Sequence, residues 1–146
     1  MLTGLGMPVE LVTQSGNGSL NTKVNIMNTP LVDLLTEAKA LIADESNWTQ
    51  GAYAKNAEGF TVDNLAEEAT CFCSLGALHR AATKLAFEVD SFYVERLAID
   101  VLHTVIHKST GFRSIAVYND DSHREHSEII RTFDLAIEQA NKGVAQ

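Results

Sequence analysis

Two cysteines and five histidines carry whatever thiol or soft-metal chemistry this chain of 146 residues has. Their spacing limits that chemistry. Cys71 and Cys73 stand two positions apart. On a regular helix that spacing turns the side chains about 200° apart, so the pair cannot chelate one ion unless the helix begins after them. A tetrahedral site would also need two further ligands, and His79 lies only on the flank of the Cys71 face. Cys71 therefore reads as a small core residue. Cys73 shares its side with Ala77, Arg80 and Lys84, and nearby positive charge lowers a thiol pKa, which makes Cys73 the candidate for thiol chemistry. His103 and His107 have the i, i+4 spacing of zinc-protease helices. Thr104 stands where the catalytic glutamate of that motif would be. The run Asp120-Asp121-Ser122-His123-Arg124-Glu125-His126 is rich in potential ligands. It also has the form of an acidic helix start, since carboxylates near a helix N-terminus favour the dipole. No glycine-rich phosphate loop, nucleophile elbow or pair of catalytic carboxylates stands out. No residue is accordingly assigned a catalytic or metal-ligating role, and no cofactor is expected.

The elements that must position these residues follow from periodicity. Thr29-Pro30 suits the start of a first helix, threonine at the N-cap and proline at the first helical position. Leu31, Leu34, Leu35, Ala38, Leu41 and Ile42 then recur at helical spacing. Tyr53–Lys55 and Phe60–Val62 flank Asn56-Ala57-Glu58-Gly59, which predicts a short hairpin with Gly59 at positive φ. A second helix is expected over 66–87, with Cys71, Leu75, Leu78, Ala82 and Leu85 on one face. Gly76 would lie in its interior, where glycine costs about 1 kcal/mol relative to alanine. Close approach of another backbone or a ligand is the usual compensation. A third helix over 91–108 carries Val94, Leu97, Ala98, Val101, Leu102 and Val105 inward and ends at Gly111. Its opposite face, with His103, His107, Arg96 and Asp100, is solvated or an oligomer contact. Arg113–Tyr118 reads as extended. Ser122 with Glu125 fits a capping box ahead of a last helix with Ile129, Ile130, Phe133, Ala136, Ile137 and Ala140 inward.

The fold class is therefore mainly α: a compact four-helix domain over 29–146 with a small β-hairpin. Residues 1–28 form a flexible N-terminal extension or arm. Within them Val9–Thr13 reads as a short strand and Gln14–Ser19 as a turn or linker.

Composition excludes several classes. The formal charge of -8 should repel a phosphate backbone, because non-specific nucleic-acid affinity needs clustered Lys and Arg. No apolar run approaches the length of a membrane span, and no secretory signal is seen at the start. Two cysteines one residue apart make no disulfide framework. A reduced, cytoplasmic protein is expected.

Three strings remain. They are Trp48-Thr49-Gln50-Gly51-Ala52-Tyr53-Ala54, Cys71-Phe72-Cys73-Ser74-Leu75-Gly76-Ala77-Leu78, and Tyr118-Asn119-Asp120 ahead of the last helix. Together they resemble a family of small bacterial and phage proteins catalogued only as a domain of unknown function. The resemblance covers roughly residues 31–140. Its pattern has Trp-Thr-x-Gly, Cys-x-Cys-x-Leu-Gly-Ala and Trp-Asn-Asp segments. Phe72 and Tyr118 replace two of that pattern's tryptophans. The resemblance implies a mainly helical fold and a frequent phage or mobile-element origin, and it implies no activity.

The three strings can converge on one site, although Asn119 and Asp120 can equally bond backbone groups locally. The candidate ligand-binding set is Trp48, Tyr53, Cys73, Arg80, Arg113, Tyr118, Asn119 and Asp120. The first expectation for function is a non-catalytic binding or interaction protein, a homo-oligomer or the partner of a host protein. The alternative is a protein that sequesters a small nucleotide-type ligand, with Trp48 or Tyr53 stacking and Arg80 or Arg113 meeting phosphate. A third is a metal- or thiol-dependent enzyme using His103 and His107 or Cys73.

Overall fold

The structure is a computed structural model that describes the backbone of residues 18–85 and 90–143, with side chains from residue 29 onward. Four long helices make the core: α1 Gly18–Leu41, α2 Ser74–Lys84, α3 Ser91–Thr110 and α5 His126–Asn141. α1 packs on α2, α3 and α5, while α3 packs on α2 and α5. A fifth, short helix, α4 Ile115–Asp120, leans on α2 and α3. A 3₁₀ turn, Glu45–Asn47, and two short strands, β1 Ala54–Lys55 and β2 Cys71–Phe72, fill the connection from α1 to α2. The fold is mainly helical with a small antiparallel β element, as the periodicity implies. No described helix is long and apolar enough to cross a membrane.

The apolar stripes meet as helical spacing requires. Leu31, Leu34, Leu35, Ala38 and Ile42 are fully buried, and so are Val94, Ala98, Leu102 and Ile106 of α3 and Ile129, Phe133 and Ala136 of α5. Fully burying one such large side chain stabilises the fold by about 1.5–3 kcal/mol, before the entropy of ordering it is subtracted. Gly111 caps α3 at φ +84°, the left-handed conformation that glycine adopts without a Cβ penalty.

Several expected boundaries move. α1 begins at Gly18, so Pro30 lies inside the helix and not at its first turn. The ring deletes one backbone donor there, yet the apolar stripe that follows holds the helix in the core. Gly18-Ser19, expected in a linker, are helical. The strand expected at Val9–Thr13 lies outside the described residues.

β1 pairs with β2, Ala54 opposite Phe72 and Lys55 opposite Cys71, and on its other edge it meets Phe60–Val62 through the antiparallel Lys55–Thr61 bridge. The expected hairpin thus forms in short form: Gly59 is at φ +90°, the Asn56 amide donates to the Phe60 carbonyl at 2.9 Å and the Val62 amide to the Ala54 carbonyl at 3.1 Å. β2 occupies the sequence expected to begin the second helix. α2 starts only at Ser74, and its inward residues are Ala77, Leu78, Ala81 and Ala82. Cys73 and Ala77, expected on the outer side, are buried because the helix begins later and presents a different arc.

Arg113–Tyr118 is not extended. Ser114 accepts from the Val117 amide at 3.1 Å and starts α4. The capping box sits three residues beyond the expected Ser122–Glu125 pair. Glu125 is the N-cap, and Glu128 accepts from the Glu125 amide at 2.9 Å. That bond is the main reason the Glu128 carboxyl is held below its ordinary pKa.

Candidate functional site

The three sequence strings converge on the side chain of Asn119. It lies in the last turn of α4 and is fully buried. Its Oδ1 accepts from the Trp48 indole at 2.9 Å, from the Ser74 amide at 3.0 Å and from the Ser74 hydroxyl at 2.9 Å. Its Nδ2 donates to the Thr49 carbonyl at 3.0 Å and to Asp120 Oδ1 at 2.9 Å. One amide thus joins the segment after the 3₁₀ turn, the first residue of α2 and the end of α4. A buried amide costs little once all its donors and acceptors are matched, and here both polar atoms are fully used.

Backbone geometry delivers these partners. The Thr49 amide donates to the Phe72 carbonyl at 3.0 Å, which aligns the Trp48 segment beside β2. Cys73 is the N-cap of α2, and its sulfur accepts from the Gly76 amide at 3.4 Å. The Cys73 amide donates to the Tyr53 carbonyl at 3.2 Å. Gly76 lies in the first turn of α2, not its interior, directly over that same carbonyl. A Cβ at residue 76 would overlap the Tyr53 oxygen and come within 3.0 Å of its carbon. The compensation foreseen for Gly76 is therefore the approach of another backbone.

Two further residues complete the cluster. Gln50 donates from Nε2 to the Asn119 carbonyl at 2.8 Å and the Asp121 carbonyl at 3.0 Å, which satisfies the end of α4. Asp120 Oδ1 accepts from the Gly51 amide at 3.0 Å. Arg124 lies 3.6 Å from the ring centre of Tyr118 and donates to the Tyr118 carbonyl at 2.8 Å. It also reaches Glu128 at 3.2 Å and Asp121 at 3.6 Å. Burial pushes the Tyr118 hydroxyl up in pKa, with the Arg124 charge opposing it.

Of the eight candidate residues, Trp48, Cys73, Tyr118, Asn119 and Asp120 come together in this cluster. Tyr53 joins it through its carbonyl alone, and its ring is exposed. Arg80 is elsewhere: its guanidinium donates to the Asn64 and Ala66 carbonyls at 2.8 and 2.9 Å and lies over Phe72. Arg113 is exposed on the connection before α4, and its carbonyl bonds His103 Nε2 at 2.9 Å. Gln50, Ser74 and Arg124 were not singled out in the sequence. The first two lie inside the quoted strings, which is the one signal that could have marked them.

The cysteine chemistry follows from placement. Cys73 is buried, and burial pushes its thiol above the ordinary pKa; the Gly76 amide opposes that shift more weakly. Arg80 and Lys84 do not activate it. Lys84 pairs with Glu37 at 2.6 Å. Cys71 is partly exposed and its thiol donates to the Ser46 carbonyl at 3.2 Å. Alkylation of the native protein at neutral pH should modify Cys71 and spare Cys73 until the protein unfolds, as mass mapping of both sites would show. Equal native labelling of the two would contradict the burial of Cys73. His103 and His107 stack with ring centres 6.3 Å apart. Among the described residues no three His, Cys, Asp or Glu side chains gather as a metal cradle.

Comparison with known proteins agrees at the level of family. The model of a family of unknown function, DUF6197, matches residues 27–139, and the chain belongs to that family. The resemblance drawn from the three strings holds at that level, over nearly the same residues. No curated protein and no solved structure matches the chain.

Proposed function

We propose that this member of the DUF6197 family is a non-catalytic binding protein that self-associates through the outward face of α3. One observation carries the reading. Phe92, Arg96, Asp100, His103 and His107 recur at helical spacing along one outward stripe. Phe92 is 72 % exposed, and Tyr93 beside it 52 %. An exposed phenylalanine at the head of such a stripe, with an exposed tyrosine next to it in sequence, supports reading this end of α3 as an interaction surface. The stripe is also self-complementary. Arg96 and Asp100 are only loosely paired within the helix, at 3.9 Å, and both side chains are well exposed. A two-fold axis across the stripe would set each Arg96 against the Asp100 of a second copy, and each Phe92 towards the stacked imidazoles.

The motif cluster supports the same division of labour. Its polar atoms bond one another, so the outer helix face is left to meet partners. Two free cysteines in the described residues fit a reducing, cytoplasmic setting for such a protein. A phage or mobile-element origin and a host-protein partner are compatible with this reading and add nothing to its support.

Sedimentation velocity over a concentration series tests it. A dimer is expected for the native chain. Phe92→Asp and Asp100→Arg should each weaken association by at least about tenfold. The charge swap combining Arg96→Asp with Asp100→Arg should recover much of it. A monomer at all concentrations, or unchanged association of Phe92→Asp, would contradict the proposal.

A further inference from the structure

We propose a second, independent site: a groove between the β1 loop, α2 and α3 that binds an uncharged heteroaromatic ligand of nucleobase or nucleoside size. The groove has a volume of about 440 Å³ and is lined by Tyr53, Asn64, Leu75, His79, Glu95 and Ile99. That volume falls within the range of small-ligand pockets. Leu75 and Ile99 supply apolar walls. The Tyr53 ring, 60 % exposed at the groove, offers a stacking face. Tyr53 contributes only its backbone to the Asn119 cluster, so its side chain is available.

Two polar groups in the groove lack complete partners. Asn64 Nδ2 is buried and has no hydrogen-bond acceptor among the described residues. Leaving such a group unmatched costs on the order of 1–3 kcal/mol, so an unpaired buried amide signals a missing acceptor. Asn64 is not loosely held. Its carbonyl accepts from Arg80 at 2.8 Å, and the loop is turned by the Leu65 amide donating to Asp63 at 2.8 Å. The second group is His79. Its Nδ1 is bound to Glu95 Oε2 at 2.9 Å, and the Glu95 side chain is 15 % exposed. The carboxylate orients the imidazole, as second partners of histidine do. Nε2 has no partner among the described residues, so it can exchange one hydrogen bond with a ligand in the groove.

Charge selects the ligand class. Glu95 stands in the wall, and the Arg80 guanidinium that meets the Asn64 carbonyl is spent on two backbone carbonyls. Among the described residues that line the groove none is a lysine or arginine, and the net charge of -8 opposes anions generally. A flat, neutral ring with one polar edge atom for His79, and an acceptor that the Asn64 amide meets by turning towards the groove, fits this lining. Among common metabolite chemistries, nucleobases combine that stacking face with such edges.

The test is a titration of the full chain with adenosine, guanosine, cytidine and uridine, and with their 5′-monophosphates, followed by amide and side-chain NMR. At least one nucleoside is expected to move the resonances of Tyr53, Asn64 and His79 together. Its monophosphate should bind at least about tenfold more weakly. Tyr53→Ala and Asn64→Ala should each reduce affinity by about tenfold or more, with thermal unfolding unchanged or, for Asn64→Ala, improved. If no nucleoside moves these resonances at millimolar concentration, the site is refuted. It is equally refuted if the variants bind as the native chain does, or if the monophosphate binds more tightly. These readouts do not depend on association through α3, which Phe92→Asp addresses separately.

Discussion

Replacing Asn119 by alanine is expected to destabilise the protein by roughly 3–5 kcal/mol, since several buried groups lose their partner at once and each unmatched group costs about 1–3 kcal/mol. The Trp48 indole, the Ser74 amide and hydroxyl and the Thr49 carbonyl all bond this one side chain. The loss is a large fraction of the 5–15 kcal/mol typical of a folded domain. Denaturant unfolding followed by tryptophan fluorescence reads it directly, because Trp48 is the chain's one tryptophan and part of the cluster. Asn119→Asp separates the donor from the acceptor. It keeps Oδ1 but sets a second carboxylate oxygen against the Thr49 carbonyl and Asp120 Oδ1, at 3.0 and 2.9 Å in the native arrangement. The charged form is then disfavoured in the fold, so the folded pKa lies above the unfolded value of about 3.9. Such a group gives its full stability below the unfolded pKa and loses it as pH rises through the folded one. Asn119→Asp should therefore recover stability on acidification relative to Asn119→Ala. A shift in stability of under about 1 kcal/mol for Asn119→Ala would show that the cluster does not hold the fold.

The second large effect is expected at Gly76. On an ordinary exposed helix Gly→Ala gains up to about 1 kcal/mol. Here the added methyl meets the Tyr53 carbonyl, a backbone group that cannot rotate away. The same carbonyl accepts from the Cys73 amide, so moving it also disturbs the N-cap of α2. Gly76→Ala should destabilise by about 3 kcal/mol or more, near or beyond the upper end of ordinary overpacking. Thermal unfolding of Gly76→Ala beside a control such as Thr83→Ala, on the exposed side of α2, measures it. A stabilised Gly76→Ala would mean that β1 and α2 stand further apart than described.

Much of the helical core was legible because burial repeats at 3.6 residues. The stripes of Leu31–Ile42, Val94–Leu102 and Ile129–Ala140 could be read one helix at a time. The β element was not legible in the same way. Cys71-Phe72 is too short to show a period of two, and its partners in Ala54-Lys55 lie well upstream, Ala54 opposite Phe72 and Lys55 opposite Cys71. Nothing local distinguishes such a pair from the first turn of a helix. α4 was missed for a related reason: six residues carry little periodicity, and its start depends on one serine cap.

The site was half legible. Convergence of the three strings stood open beside the reading that Asn119 and Asp120 bond nearby backbone; the backbone groups that Asn119 meets are in fact distant in sequence, the Ser74 amide and the Thr49 carbonyl. The Asn119 bonds to Ser74 cross 45 residues of chain, and its bonds to Trp48 and Thr49, like those of Gln50, cross about 70; no spacing rule encodes such contacts. The groove at His79 and Glu95 was invisible for the same reason, since its six lining residues come from four separate segments.

The central claim is that the motif residues build the fold while the outer surface binds. Hydrogen exchange read by mass spectrometry, at several protein concentrations, tests it most directly. Segments 48–53, 71–76 and 118–121 should be strongly protected at every concentration, at the level of the buried helices. Protection of residues 91–100 should rise with concentration as copies associate. The claim is contradicted if the motif segments exchange as unfolded chain in the dilute protein and gain protection only when a ligand or partner is added.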